Sequence, residues 1–133
     1  METWYMDTSA AVKLLVLEDE SPALIEAINT RAPLLCSSNL LITELSRAQQ
    51  RTSSIRPAAV RNVLLRLQLI DVNRTVFEHA GLIPGANLRS LDAIHIAAAL
   101  LGGCTSMVTY DHRMAEAAER SGLEVYSPGV SGS

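Results

Sequence analysis

Cysteine is scarce in this sequence, which has only two cysteines in 133 residues. Cys36 and Cys104 lack the spacing of metal ligands, so we expect both to be buried free thiols. Unpaired cysteines favour a cytoplasmic protein. The first residues, METWYMD, have no basic segment, and no apolar run is long enough to cross a membrane. Neither a signal peptide nor a membrane anchor is therefore expected.

Lysine is scarcer still, because ten of the eleven basic residues are arginine and Lys13 is the one lysine. The formal net charge of −3 argues against a generally basic nucleic-acid-binding protein. The sequence also lacks a glycine-rich phosphate-binding loop and a Ser-His-Asp order of catalytic residues. What remains is a chain that is 48% hydrophobic and long enough to form one domain with an apolar core.

Short apolar strands alternate with helices along this chain. Strands are predicted over residues 3–6, 34–37, 69–72, 106–110 and 123–126. Helices are predicted over residues 10–18, 22–31, 40–51, 57–68, 74–80, 91–101 and 112–121. Ser21, Asn39 and Ser90 each precede one of these helices and are expected to cap its N-terminus.

This alternation predicts an α/β fold: a central parallel sheet of about five short strands with helices on both faces, forming a three-layer sandwich. We expect one domain over residues 1–126, followed by a flexible Gly/Ser tail over residues 127–133.

The helix within SLDAIHIAAALLGG is apolar on nearly every side and is interrupted only by Asp92 and His95. Such a helix is expected to be buried inside the domain. Asp92 falls in its first turn, where an acid either stabilises the helix dipole or belongs to a functional site. His95 can act as a base, but a hydrogen-bonded core histidine is the simpler interpretation.

Four acids are predicted to lie near one edge of the sheet. Asp7 and Asp111 follow the first and fourth strands, Glu44 lies one turn into the third helix, and Asp92 begins the buried helix. Ligand sites of parallel sheets lie beyond the carboxyl ends of the strands. Each acid also has a structural interpretation: Asp7 and Asp111 as N-caps, Asp92 as a dipole residue and Glu44 as half of an ion pair.

Converging carboxylates repel one another unless a cation lies among them. Oxygen ligands without a histidine or cysteine set suit Mg²⁺ or Mn²⁺, ions that activate water for hydrolysis of phosphodiesters. Arginines are concentrated in residues 45–70, which contain five of them and no acid. They are Arg47, Arg51, Arg56, Arg61 and Arg66. They form either a solvated helix face or a rim that contacts phosphates.

Four segments resemble a known family: YMDTSAAVKLL, ITELSRA, RSLDAIHIAAAL and VTYDHRM. Together they are similar to the PIN-domain ribonucleases, and most of all to the VapC-type toxins of bacterial toxin–antitoxin pairs. The resemblance extends from Asp7 to about Tyr126. It implies that the acids of the site, which also hold the metal, are Asp7, Glu44, Asp92 and Asp111. Candidate substrate contacts are Thr8, Ser9, Arg47, Arg51 and Arg113.

The resemblance further implies an endoribonuclease that depends on Mg²⁺ or Mn²⁺ and cleaves single-stranded or structured RNA. A homodimer and a small antitoxin that blocks the site are the implied partners. One alternative is a catalytically silent scaffold that binds RNA or protein. Another is an aspartate-based phosphoryl-transfer domain, which the sequence disfavours because Ser9 replaces a second acid and Lys13 lies on the first helix.

Overall fold

The predicted parallel sheet is confirmed by the computed structural model, which describes residues 1–130. Its strands are β1 (Thr3–Met6), β2 (Leu34–Ser38), β3 (Gln68–Ile70), β4 (Ser106–Val108) and β5 (Glu124–Tyr126). All neighbouring strands are parallel, in the order β3-β2-β1-β4-β5. Their carboxyl ends therefore meet at one edge, with β1 in the centre.

Helices occupy both faces of this sheet, as predicted. In the described part of the chain they are α1 (Thr8–Val12), α2 (Ser21–Arg31), α3 (Leu40–Arg51), α4 (Pro57–Leu65), α5 (Arg74–Ala80), α6 (Ser90–Leu101) and α7 (His112–Arg120). Alternate residues of β1 point to opposite faces. Trp4 and Met6 pack with α1 to α4, whereas Tyr5 packs with α5 to α7. Two apolar layers thus enclose the central strand.

The first helix is shorter than predicted, because α1 ends at Val12 rather than at residue 18. The hydroxyl of Ser21 lies 2.7 Å from the carbonyl oxygen of Lys13 and 3.1 Å from that of Val16, and it accepts the backbone N–H of Glu18. These bonds stabilise a turn where the helix was expected to continue. Ser21 is also not the N-cap of α2, since α2 begins at Ser21 and its N-cap residue is Glu20.

Of the other two predicted caps, Asn39 has the predicted position but not the capping bond, and the prediction for Ser90 is wrong. Asn39 does occupy the N-cap position of α3, but its side chain makes no capping bond. It instead donates to Asp71 Oδ1 and accepts the N–H of Val72, joining α3 to the end of β3. Ser90 is the first residue of α6, and Arg89 is the N-cap. Local sequence does not reveal these partners because they come from distant segments.

Helix α6 is less buried than its composition predicts. Its residues facing the core, such as Ile96 and Ala97, are fully buried. Leu91 is 49% exposed, however, and Leu100 and Leu101 are exposed at the other end. The helix therefore covers the sheet with one side only. In the described residues, no helix has the length and apolar character needed to cross a membrane.

Cys36 and Cys104 are buried free thiols, as predicted. The start of the predicted tail contacts the domain: Ser127 Oγ donates to the carbonyl of Thr109 at 2.6 Å, and Tyr110 Oη donates to the carbonyl of Pro128 at 2.8 Å. Residues 131–133 lie outside the described residues. The division of the chain at residue 126 stays a prediction.

Candidate active site

The four predicted acids follow the elements that end or begin at the carboxyl edge of the sheet. Asp7 directly follows β1, and Asp111 lies three residues beyond the end of β4, the neighbouring strand. Glu44 is in the second turn of α3, which begins just after β2. Asp92 is in the first turn of α6. The sheet topology therefore brings these residues to the same edge.

Asp7 is the most deeply buried of the four, with 3% of its surface exposed. Its Oδ1 accepts the backbone N–H of Ala10 at 2.9 Å, so it caps α1. Ser9 Oγ donates to the same oxygen at 2.7 Å, and Thr109 Oγ1 donates to Oδ2 at 2.6 Å. Burial raises the pKa of Asp7 above its ordinary value, although these hydrogen bonds oppose the shift. An N-cap needs neither such burial nor two extra hydroxyl donors, so capping alone does not explain this residue.

Thr109 connects two of the acids, although no sequence pattern singled it out. Its hydroxyl donates to Asp7 and accepts the backbone N–H of Asp111 at 3.1 Å. Ser9 makes a parallel link, because its hydroxyl donates to Asp7 and accepts the N–H of Tyr110 at 2.9 Å. The feature of the sequence that could have indicated this support is the threonine two residues before Asp111, within the segment VTYDHRM.

Glu44 is held by two donors on one oxygen. Thr8 Oγ1 donates to Glu44 Oε1 at 2.7 Å, and His95 Nε2 lies 2.5 Å from the same oxygen. Burial raises the pKa of Glu44, but the hydrogen bonds from His95 and Thr8 oppose burial, and the pKa stays below its ordinary value. Glu44 thus has a partner where an ion pair was predicted, and that partner is a hydrogen-bonded histidine, which carries a charge only when it is protonated.

The interpretation of His95 as a hydrogen-bonded core residue is confirmed. It is 2% exposed, and its Nδ1 lies 2.6 Å from the hydroxyl of Tyr5. No sequence pattern indicated that its other nitrogen, Nε2, contacts Glu44, a candidate site residue. His95 also lies within electrostatic range of Asp7 and Asp92, although Glu44 is the acid that it contacts in residues 1–130.

Asp92 and Asp111 are more accessible and lie near each other. Burial and the charge of Asp111 raise the pKa of Asp92. Asp92 accepts a backbone hydrogen bond from Arg89, and Asp111 caps α7 by accepting the N–H groups of Arg113 and Met114. Both acids therefore have the structural roles that the sequence allowed. The mutual repulsion of these two carboxylates is not explained by those roles.

The donor set suits a hard divalent cation such as Mg²⁺. Within residues 1–130, Glu44 Oε2 and Asp111 Oδ2 accept no hydrogen bond. A cation would also neutralise the repulsion between the Asp111 and Asp92 carboxylates. As the described side chains stand, no three of them converge closely enough to hold a metal ion. The carboxylate oxygens are thus the type of ligand that the ion prefers, but in this structure they are not close enough together to bind it.

The predicted substrate contacts divide into two groups. Thr8 and Ser9 donate directly to candidate acids. Arg47 and Arg51 are exposed and, by helical spacing, share a face of α3 with Glu44. Arg113 is exposed in the first turn of α7 and lines a separate cavity of about 160 Å³ with residues 85–88. The structure therefore brings the two hydroxyls to the acids. Arg113 contacts Asp111 through its backbone N–H, and within residues 1–130 its guanidinium forms no ion pair with any of the four acids.

The chain combines a parallel five-stranded sheet with four acids at the carboxyl edge of that sheet. The sequence model of the PIN-domain family matches its residues 4–120. The chain belongs to the PIN-domain family. It is 42% identical over 130 residues to Ribonuclease VapC35 of Mycobacterium tuberculosis, covering 94% of this chain and 96% of that protein.

A second relative, Ribonuclease VapC46 of Mycobacterium tuberculosis, is 40% identical over 130 residues, which cover 96% of this chain and 99% of that protein. Among solved structures, a toxin–antitoxin complex from Klebsiella pneumoniae superposes with a TM-score of 0.72 at 19% identity, covering 93% of this chain and 96% of that chain. The resemblance to the VapC-type PIN proteins is confirmed.

Proposed function

We propose that this chain is a metal-dependent endoribonuclease and the toxin of a toxin–antitoxin pair. The observation that carries the proposal is the set of four carboxylates at the carboxyl edge of the sheet, Asp7, Glu44, Asp92 and Asp111. Family membership supports it, since relatives sharing about two fifths of their residues with this chain are named ribonucleases.

A Mg²⁺ or Mn²⁺ ion bound by these carboxylates would supply a Lewis acid that activates water and stabilises the leaving oxygen of a phosphodiester. The chain's own part is to hold the acids in place. Thr8 and Ser9 donate hydrogen bonds from their hydroxyl groups to Glu44 and Asp7, which makes them supports for the acids rather than nucleophiles. Water is then the expected nucleophile, and the products should carry 5′-phosphate and 3′-hydroxyl ends.

The test is cleavage of a labelled RNA by the purified chain in Mg²⁺, in Mn²⁺ and in excess EDTA, with the ends of the fragments identified. The Asp7→Asn variant, purified in parallel, controls for a contaminating nuclease. We expect cleavage by the wild type only when metal is present. Cleavage that survives EDTA, or that leaves 2′,3′-cyclic phosphates, would contradict the proposal.

The proposed partner is a small antitoxin, as in the Klebsiella complex. An apolar groove of about 390 Å³ lies between α3 and α4, where Ile42 and Leu65 are exposed and Arg61 lines the edge. In residues 1–130, none of the five arginines of residues 45–70 forms an ion pair. This surface suits a segment with both apolar and acidic side chains.

A short reading frame immediately upstream of the gene, encoding a DNA-binding protein that co-purifies with this chain, would support the antitoxin. We also propose a cytoplasmic homodimer, which light scattering of the purified chain would test. RNA remains the competing ligand of the arginines, and competition between RNA and the co-purified protein would identify which one binds there.

A second candidate function is a PIN-like scaffold that binds RNA or protein without cleaving it. The observation in its favour is that, among the described residues, no three acids converge closely enough to hold a metal. Binding of RNA without cleavage in Mn²⁺ would support the scaffold. The phosphoryl-transfer alternative is weakened further, because Lys13 pairs with Glu20 at 2.8 Å and with Glu18 at 3.2 Å.

A further inference from the structure

Three side chains form a hydrogen-bonded line from the apolar core to the candidate active site. Tyr5, in the central strand, is fully buried, and its hydroxyl lies 2.6 Å from His95 Nδ1. His95 Nε2 lies 2.5 Å from Glu44 Oε1. The rings of Tyr5 and His95 meet edge to face at an interplanar angle of 72°, which further restricts the imidazole.

The chemistry of the groups sets the direction of these hydrogen bonds. An ionised carboxylate only accepts, so His95 must donate through Nε2. A neutral imidazole then has its lone pair on Nδ1 and accepts the hydroxyl proton of Tyr5. Glu44 thereby selects the tautomer in which the histidine donates through Nε2, and the hydroxyl of Tyr5 holds the other ring nitrogen as an acceptor.

The consequence for Glu44 is that its two oxygens are no longer equivalent. Oε1 receives both donors, Thr8 Oγ1 and His95 Nε2. In the described part of the chain, Oε2 accepts no hydrogen bond and stays available to a ligand. The geometry points to His95, oriented by Tyr5, as a positioning residue that fixes the Glu44 carboxylate for a divalent cation. The cation in this inference rests on the proposed function.

The first experiment needs no metal. The ¹⁵N and ¹H signals of the His95 ring are recorded in EDTA for the wild type, Tyr5→Phe and Glu44→Gln. We expect the wild-type ring to carry its proton on Nε2, with a signal that shifts in Glu44→Gln. Tyr5→Phe should keep the proton on Nε2 and shift the Nδ1 signal, because that nitrogen loses its donor. A wild-type ring protonated on Nδ1 alone, or a signal unaffected by Glu44→Gln, would overturn the positioning role.

The second experiment measures binding of Mn²⁺ by electron paramagnetic resonance. His95→Gln keeps an N–H donor near the position of Nε2, whereas His95→Leu fills the space without one. Loss of an outer ligand-orienting hydrogen bond typically weakens metal binding by about 10–100-fold, which is the loss expected for His95→Leu. His95→Gln should recover most of it. Tyr5→Phe should weaken Mn²⁺ binding less, and it keeps the test valid if His95→Leu fails to fold.

Ser21→Ala is the matched control, because it removes a buried hydroxyl that bonds only the turn after α1. It should melt at a lower temperature but bind Mn²⁺ like the wild type. Equal losses in His95→Gln and His95→Leu that follow their melting temperatures would mean that the histidine only packs the core. If the wild-type His95 ring carries its proton on Nε2 but the protein neither binds Mn²⁺ nor cleaves RNA, the proposed function is refuted. The hydrogen-bonded positioning of Glu44 by His95 would still stand.

Discussion

The two halves of the candidate active site are built differently. The inner pair, Asp7 and Glu44, receives side-chain donors: two hydroxyls reach Asp7, and a hydroxyl and an imidazole reach Glu44. Within residues 1–130, the outer pair, Asp92 and Asp111, accepts hydrogen bonds from the backbone only. The inner acids are thus held by residues from several elements, whereas each outer acid is held by the start of its own helix.

This difference separates two physical tasks. Side-chain donors fix the inner carboxylates before any ligand arrives, and in Glu44 they outweigh the burial that would otherwise raise its pKa. The outer carboxylates carry unrelieved repulsion, since burial and the charge of Asp111 raise the pKa of Asp92. A cation would relieve that repulsion, so the outer pair should couple ligand binding to stability more strongly than the inner pair does.

The largest expected effect comes from breaking the outer pair. Asp92→Asn should abolish cleavage while leaving the metal-free fold as stable as the wild type or slightly more stable. The substitution keeps the size of the side chain and removes one of two repelling charges. Added Mg²⁺ should then raise the melting temperature of the wild type more than that of the variant. Thermal melts in EDTA and in Mg²⁺, beside the cleavage assay, measure all three effects.

A purely structural Asp92 predicts the opposite result. Removing an acid that only stabilises the helix dipole should cost about 0.3–1 kcal/mol and leave cleavage intact. If Asp92→Asn melts at a lower temperature than the wild type in EDTA and cleaves RNA normally, Asp92 has only a structural role.

The next largest effect comes from loosening the inner pair. Thr109→Val should lower the free energy of unfolding by about 1–3 kcal/mol, because it leaves a buried oxygen of Asp7 without its donor. Cleavage should fall by about 10–100-fold, the usual cost of losing such a support. Chemical denaturation and initial cleavage rates measure the two quantities.

Thr105→Val is the matched control for this change. The hydroxyl of Thr105 also bonds the backbone, but it is exposed and contacts Thr3 rather than an acid. It should cost less stability and leave cleavage unchanged. If Thr105→Val and Thr109→Val reduce cleavage equally, the support of Asp7 has no special role.

The position of the four acids at one edge could be predicted from the sequence, because Asp7 and Asp111 follow recognisable strands, and Glu44 and Asp92 lie in the first two turns of recognisable helices. Parallel strand order then brings them to one edge whatever the details of the side chains. Their supports were harder to find. Thr109 and His95 act through bonds to residues about 100 and 51 positions away, and no local pattern encodes such a partner.

Wrong helix ends have the same cause. The Ser-Pro pair at residue 21 is typical of a helix start, so the serine was expected to cap α2. Its hydroxyl instead bonds the turn that ends α1 early. Local preference gave the position of the helix within one residue, but tertiary contacts decided where the hydroxyl went.

A smaller effect is expected beyond the acids, along the face of α3 that continues from Glu44. Replacing Arg47 and Arg51 together with Gln should weaken RNA binding and reduce its salt dependence, because each phosphate contact adds about 0.7 to the slope for a single strand. Arg74→Gln is a control on another helix, since Arg74 already pairs with Glu78. Titrations at several salt concentrations measure the slope. An unchanged slope would make Arg47 and Arg51 part of a solvated surface.

The smallest effect concerns pH and distinguishes the two pairs by sign. The raised folded pKa of Asp92 means that the folded state holds this proton more tightly than the unfolded state. Its contribution to stability is therefore present at low pH and is lost as pH rises from about 4 through the raised folded value. Glu44 acts oppositely: its lowered pKa contributes stability at neutral pH that is lost as pH falls through the folded value.

In EDTA, the difference in unfolding free energy between Asp92→Asn and the wild type should therefore move in favour of the variant between about pH 4 and pH 7. The change should be at most about 1 kcal/mol, because Asp92 is partly exposed and water screens its charge. For Glu44→Gln, the difference should move in favour of the wild type as pH rises through the lowered folded pKa of Glu44, and it should level off above about pH 5. Repeating the measurement in about 1 M salt tests the cause, since salt screens the repulsion from Asp111 but leaves the effect of burial. If the difference in unfolding free energy between variant and wild type changes with pH in the same direction for both variants, the inner and outer acids do not differ in the way that their contacts indicate.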